Sequence, residues 1–235
     1  MPKDVIIACD FPGEEETMEF LEKFGDERPF VKIGMELFYG TGLHMVRKLK
    51  DRGHKVFLDL KLHDIPNTVY KAMKVLAEMD VDICNCHCAG GMEMMKAAAR
   101  AFGEREEATG KKPLIIAVTQ LTSTSEEMMR EEILIDKSLE ETVAAYALNA
   151  KRSGLGGVVC SPLEAVQIHR LCGKEFMTVT PGIRFAHGDR GDQVRVTTPE
   201  RARELGSDYI VVGRSITAAD NPLEAYKKCV KEFLG

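Results

Sequence analysis

The chain has 235 residues, a formal net charge of -5, 44% hydrophobic residues and 29% charged ones. This composition fits a globule with a sizeable core, and an acidic balance with dispersed Lys and Arg excludes a nucleic-acid footprint. No apolar run is long enough to cross a bilayer, and the seven Cys lack secreted-domain spacing, so reduced thiols and a cytoplasmic location are expected.

Strand-like and helix-like patterns alternate from end to end. Residues 5–9 (VIIAC) read as a strand closed by Asp10, and the chain enters it so directly that no signal peptide is expected. Pro12-Gly13 turns the chain into an acidic-fronted helix over 14–24, followed by a short strand at 30–34 (FVKIG) that holds Lys32. Residues 40–52 read as helical, with Leu43, Val46 and Leu49 on one stripe. The third strand, 55–61 (KVFLDLK), is apolar until it reaches Asp59 and Lys61; Asp64 and Pro66 follow. A helix over 68–79, a strand over 81–87 and an Ala- and Met-rich helix over 89–102 come next, and 104–112 reads as a solvated connection.

Residues 114–119 form the fifth strand, and the loop LTSTSEE offers several helix caps. A helix over 139–151 leads to a strand at 157–160, then to Ser161-Pro162 as cap and first position of another helix. The last strands are 176–180 and 209–212, with a short helix at 199–205 between them, and Asn221-Pro222 opens the final helix to Leu234. Eight strand–helix units over this length predict one (β/α)8 barrel domain spanning 1–235, with a doubly wound open sheet as the alternative. There is no linker, low-complexity segment or second domain.

In such a barrel, reactive groups gather at the C-terminal ends of the strands. The polar exceptions fall there: Asp10, Lys32, Asp59 with Lys61, Asp64, then Asn85 and His87, then Thr119, Gln120 and Thr122. Strand alternation places Asp59, Lys61 and Phe57 on one face and Leu58, Leu60 and Leu62 on the other. Taken alone, the Asp59–Lys61 stretch fits either a functional site or a structural ion pair at a strand end. Two lysines alternating with aspartates in one pocket offset each other's desolvation and hold charge ready for proton transfer.

A phosphate site is expected beyond strands seven and eight. TPGIR (180–184) and VVGRS (211–215) combine glycine turns with Arg184 and Arg214, and barrels bind phosphate at these two loops. The polar segment 185–194 reads equally as a lid or as an ordinary surface loop.

These segments resemble the bacterial type of orotidine 5′-phosphate decarboxylase. The resemblance rests on VKIG (31–34), DLKLHDIPNT (59–68), AVTQLTS (117–123), CSPLEA (160–165), TPGIR (180–184), GDQVRVTTP (191–199) and YIVVGRSI (209–216), and covers nearly the whole chain. The D-x-K-x-x-D element is shared with related barrels of a hexulose-phosphate synthase type; the DIPNT continuation and the two phosphate loops make the match specific. The resemblance implies that Lys61 protonates C6 of the pyrimidine and that Asp59 lies against the substrate carboxylate. It implies that Lys32 and Asp64 complete the charged network and that Asp10 and Lys32 touch the ribose. Thr122 would contact the pyrimidine, and Arg184, Gln193, Gly213 and Arg214 the phosphate. Asp64 and Thr68 would reach into the neighbouring subunit's site in a homodimer. No metal and no organic cofactor is implied.

The run Cys84-Asn85-Cys86-His87-Cys88 departs from the family pattern and suggests a metal site. Alternation argues against it: the three Cys share one face and should pack against helices as small hydrophobes, while Asn85 and His87 take the other. His63 reads as a solvated loop histidine. Two other classes remain: a metal-dependent aldolase or decarboxylase on the same barrel, which a chelator would reveal, and a non-catalytic phosphometabolite binder, which has no use for Lys61.

Overall fold

Short runs of β-branched and aliphatic residues suit a parallel sheet covered on both faces, and eight of them close into one barrel. The structure is a computed structural model that describes residues 3–185 and 196–235. The strands are β1 (Asp4–Cys9), β2 (Phe30–Ile33), β3 (Val56–Leu62), β4 (Ile83–His87), β5 (Leu114–Val118), β6 (Gly157–Val159), β7 (Met177–Thr180) and β8 (Tyr209–Val212). Each pairs in parallel with the next, and β8 closes on β1. Helices join consecutive strands, so the C-terminal strand ends all open at one mouth.

The period-two alternation of strands produces two apolar layers. Ile6, Phe30, Phe57, Ile83, Ile116, Val179 and Val211 fill the barrel. Val5, Ile7, Val31, Ile33, Leu58, Cys84 and Cys86 face outward and pack beneath the helices. Several helix starts follow from local chemistry. Pro66 occupies the first turn of the helix Pro66–Ala77, where its missing N–H costs nothing. Ser161 and Glu164 form a capping box, Ser125 caps Glu126–Glu131, and Asn221 caps Pro222–Leu234.

Two helices differ from the sequence reading. The expected helix at 40–52 is a pair, Met35–Thr41 and Leu43–Asp51, broken at Gly42 with φ 65°. That φ lies in a region open to Gly and closed to most residues. The helix after β4 runs Gly91–Thr109, so 104–109 is helical rather than a connection. Its last buried residues are Ala101 and Phe102. Beyond them the helix continues without an apolar face until Gly110, at φ 71°, stops it.

Candidate active site

The barrel mouth collects side chains from the ends of seven of the eight strands, all but β4. A cavity of about 360 Å³ is lined by Asp10 after β1, Lys32 on β2, Asp59 and Lys61 on β3, and Gln120, Thr122 and Ser123 after β5. Cys160, Pro181, Gly182, Arg184, Gly213 and Arg214 complete the wall beyond β6, β7 and β8, over a floor that includes Phe57 and Val211. Of the ten residues expected from sequence that lie among the described residues, eight meet in this cavity: Asp10, Lys32, Asp59, Lys61, Thr122, Arg184, Gly213 and Arg214. Asp64 and Thr68 lie outside it, exposed on the loop and helix that follow β3. Gln193 and the segment 186–194 expected as lid or loop lie outside the described residues.

Charge alternates across the cavity floor. Lys32 Nζ lies 2.9 Å from Asp10 Oδ1 and 3.4 Å from Asp59 Oδ2. Lys61 Nζ donates to Asp59 Oδ1 at 2.8 Å, and Asn85 Nδ2 donates to the same oxygen at 2.7 Å. Burial works against the charge on Asp59, but Lys32, Lys61 and the Asn85 amide outweigh it and hold the carboxyl below its usual range. Burial likewise opposes the charge on Lys32, and Asp59 and Asp10 together raise it above the usual lysine value. The network therefore holds the Asp59 carboxylate between the Lys32 and Lys61 side chains.

The strand carrying Asp59 and Lys61 is not regular. Lys61 has φ 52°, and the pairing of β3 with β4 shifts between Leu58 and Leu62. Both charged side chains still reach the cavity, and Leu60 still packs outward with Leu58. Gly34 has a role that its sequence position did not reveal. A Cβ there would stand 2.7 Å from Asp10 Oδ1 and 3.0 Å from Lys32 Nζ, so the residue's bareness leaves room for that ion pair.

On β4 and just past its end the three thiols pack as expected. Cys84, Cys86 and Cys88 are buried in the outer layer, and burial pushes each thiol up, Cys86 to about 12. His87 takes the opposite side and stacks on His63, ring centroids 5.5 Å apart. Burial, then His63 and Lys61, hold His87 below the usual histidine range, leaving a neutral ring whose Nδ1 accepts from the Ala89 N–H. A second cavity, about 660 Å³, opens at the other end of the barrel among Phe30, Lys50, Asp82, Arg105 and Tyr209. Several of its charges are held in ion pairs such as Lys50–Asp82 at 2.6 Å, and that end of a barrel serves stability rather than chemistry.

A family model described as orotidine 5′-phosphate decarboxylase / HUMPS family matches residues 3–229. The chain belongs to this family. Curated relatives named orotidine 5′-phosphate decarboxylase, from Bacillus mycoides and Bacillus cereus, are 59% identical over 235 residues, covering all of this chain and 99% of each relative. Among solved structures, the orotidine 5′-phosphate decarboxylase of Lactobacillus acidophilus is 43% identical with a TM-score of 0.89, covering 99% of this chain and 100% of that one. An orotidine 5′-monophosphate decarboxylase from Methanocaldococcus jannaschii, crystallised with the inhibitor BMP, matches over the full length of both chains at a TM-score of 0.75. At 21% identity it shows the shared fold alone. Within this family the departure at Cys84, Cys86 and Cys88 sits on the helix-facing side of β4 and the turn after it, and none of the three lines the mouth.

Proposed function

We propose that the protein decarboxylates orotidine 5′-phosphate to uridine 5′-phosphate, a step of de novo pyrimidine biosynthesis, without a metal or organic cofactor. The single observation that carries this reading is the full-length 59% identity to relatives named for that activity. The geometry of the mouth supports it. Loss of carbon dioxide leaves an electron pair on C6 of the pyrimidine. An ammonium held beside that carbon stabilises the developing charge and then delivers a proton. Lys61 fills this role, with Asp59 against the departing carboxylate and Lys32 balancing Asp59 from its other side.

The substrate spans the cavity. Arg184, Arg214, Gln193 and the Gly213 loop take the phosphate, Thr122 the pyrimidine, and Asp10 with Lys32 the ribose. Phosphate binding far from the reacting carbon contributes binding energy that orders the site around it. Asp64 and Thr68 act across a two-fold interface, each completing the partner subunit's site. Their exposure, beside an Ile65 that is 67% exposed, supports a role at a surface between copies.

The metal-free reading is supported by the carboxylate itself. Both oxygens of Asp59 already face cationic or amide donors, so a divalent ion would have to displace them. Mixing the purified protein with orotidine 5′-phosphate in the presence of EDTA tests the proposal. Release of carbon dioxide at a rate unchanged by the chelator is expected. Activity lost to EDTA and restored by magnesium would favour the aldolase-like alternative, and no release with or without the chelator would favour the non-catalytic binder.

A further inference from the structure

Between the paired residues Leu58–Cys84 and Leu62–Cys86, three residues of β3 (59, 60 and 61) face a single residue of β4, Asn85. A bulge of this kind leaves backbone groups without ladder partners. Here the group left over is the N–H of Lys61, whose φ of 52° is strained for a non-glycine residue and persists only where its surroundings impose it. Asn85 supplies what the ladder does not. Its Oδ1 accepts the Lys61 N–H at 2.8 Å, while its Nδ2 donates to Asp59 Oδ1 at 2.7 Å. The side chain is wholly buried. The amide's orientation follows from chemistry, because a backbone N–H only donates and an ionised carboxylate only accepts.

We propose that Asn85 is a positioning residue that uses one amide to set both the Asp59 carboxylate and the Lys61 backbone, and so the distance between the acid and the proton donor. The proposal rests on the decarboxylase reading for its kinetic consequence, but not for its structural one. An apolar side chain at this point would leave the Lys61 N–H unpaired and release Asp59 to turn about its own torsions. A side chain that kept only the acceptor would hold Lys61 and repel Asp59. The two halves of the amide are therefore separable by substitution.

Three measurements decide it. In Asn85→Ala, with folding checked by circular dichroism, kcat should fall about 100-fold while affinity for uridine 5′-phosphate changes little, since misplacement of a reacting group by about 1 Å has that cost. Asn85→Asp keeps the acceptor for Lys61 but sets a second acid beside Asp59, and two such acids share one proton. That variant should retain activity at low pH and lose it as the shared proton leaves, over a range where wild type is flat. The ionisable side chains beside Asp59 are Lys32 and Lys61, with Asp10 paired to Lys32, and burial keeps the thiols of Cys84 and Cys9 neutral. Wild type carries all of these, so a limb that wild type lacks would belong to the introduced carboxyl and Asp59.

The crystal structure of Asn85→Ala gives the third readout, independent of turnover. Lys61 should leave its left-handed φ, or the Asp59 carboxylate should rotate away from Lys61. Near-wild-type kcat in a folded Asn85→Ala, or a wild-type pH profile in Asn85→Asp, would overturn the proposal. So would an unmoved Lys61 and Asp59 in the crystal, whatever reaction the wild-type protein performs. If Asn85→Ala fails to fold, the nearly isosteric Asn85→Asp decides by its pH profile.

Discussion

Asp59 is the residue on which the site's electrostatics converge. Lys61, Asn85 and Lys32 approach its two oxygens within 3.4 Å, and Lys32 is held in turn by Asp10. Its folded-state pKa is depressed below the ordinary 3.8, against the opposing effect of burial. An acid of this kind contributes stability that is present above the unfolded value and lost as the pH falls through the folded one. Lys32 has the opposite sign: its raised value keeps its contribution intact below 10.5 and removes it only in strongly alkaline solution. Wild-type stability should therefore fall as the pH drops below about 4, and Asp59→Asn should lose that part of the slope. Urea unfolding midpoints of both proteins, followed from neutral pH into the acid range, check this. Parallel curves would mean that Asp59 gains nothing from its two lysines.

At the scale of the element, the barrel depends on close approach between neighbouring strands. Gly157 on β6 faces Met177 on β7, and a Cβ there would stand 2.3 Å from the Met177 carbonyl oxygen. The atom it would meet is backbone, so the strands must part. Gly157→Ala should cost about 1–3 kcal/mol of stability, as overpacking does, with activity at low temperature largely retained because the mouth lies elsewhere. Thermal unfolding against wild type measures it, and an unchanged midpoint would contradict the packing account. The strands themselves were legible because their apolar runs are short, β-branched and closed by charge. Asp59, Lys61, Asp10 and Arg214 were legible for the same reason: a charge at the end of an apolar strand stands out. What the sequence conceals is backbone hand. Nothing in the letters LDLKL announces a left-handed Lys61, and only the partner strand shows that Asn85 compensates for it. Gly34 and Gly42 were equally silent, since a glycine needed for space and one needed for its φ look alike. The polar end of Gly91–Thr109 read as a connection because its exposed residues give no apolar period once Phe102 is passed.

For the whole molecule, the proposed function requires a barrel that shares its site with a second copy. Pro66 fixes its own φ and restricts Ile65, so the loop carrying Asp64 is stiff and partly apolar, suited to packing on a neighbour. Lys61→Ala and Asp64→Asn homodimers should each be nearly inactive. Dissociated and mixed, half of the reassociated dimers should be mixed, each with one native site, so recovery should approach about a quarter of wild type. No recovery despite proven subunit exchange would place Asp64 in its own chain's site. The proposed chemistry turns on Lys61 delivering the proton to the carbon that loses carbon dioxide. The most direct measurement is turnover of orotidine 5′-phosphate by Lys61→Ala beside its affinity for uridine 5′-phosphate. Turnover lower by at least about 100-fold, the least that a positioned proton donor contributes, with the nucleotide still bound, is the predicted result. Near-wild-type turnover in that variant would contradict it.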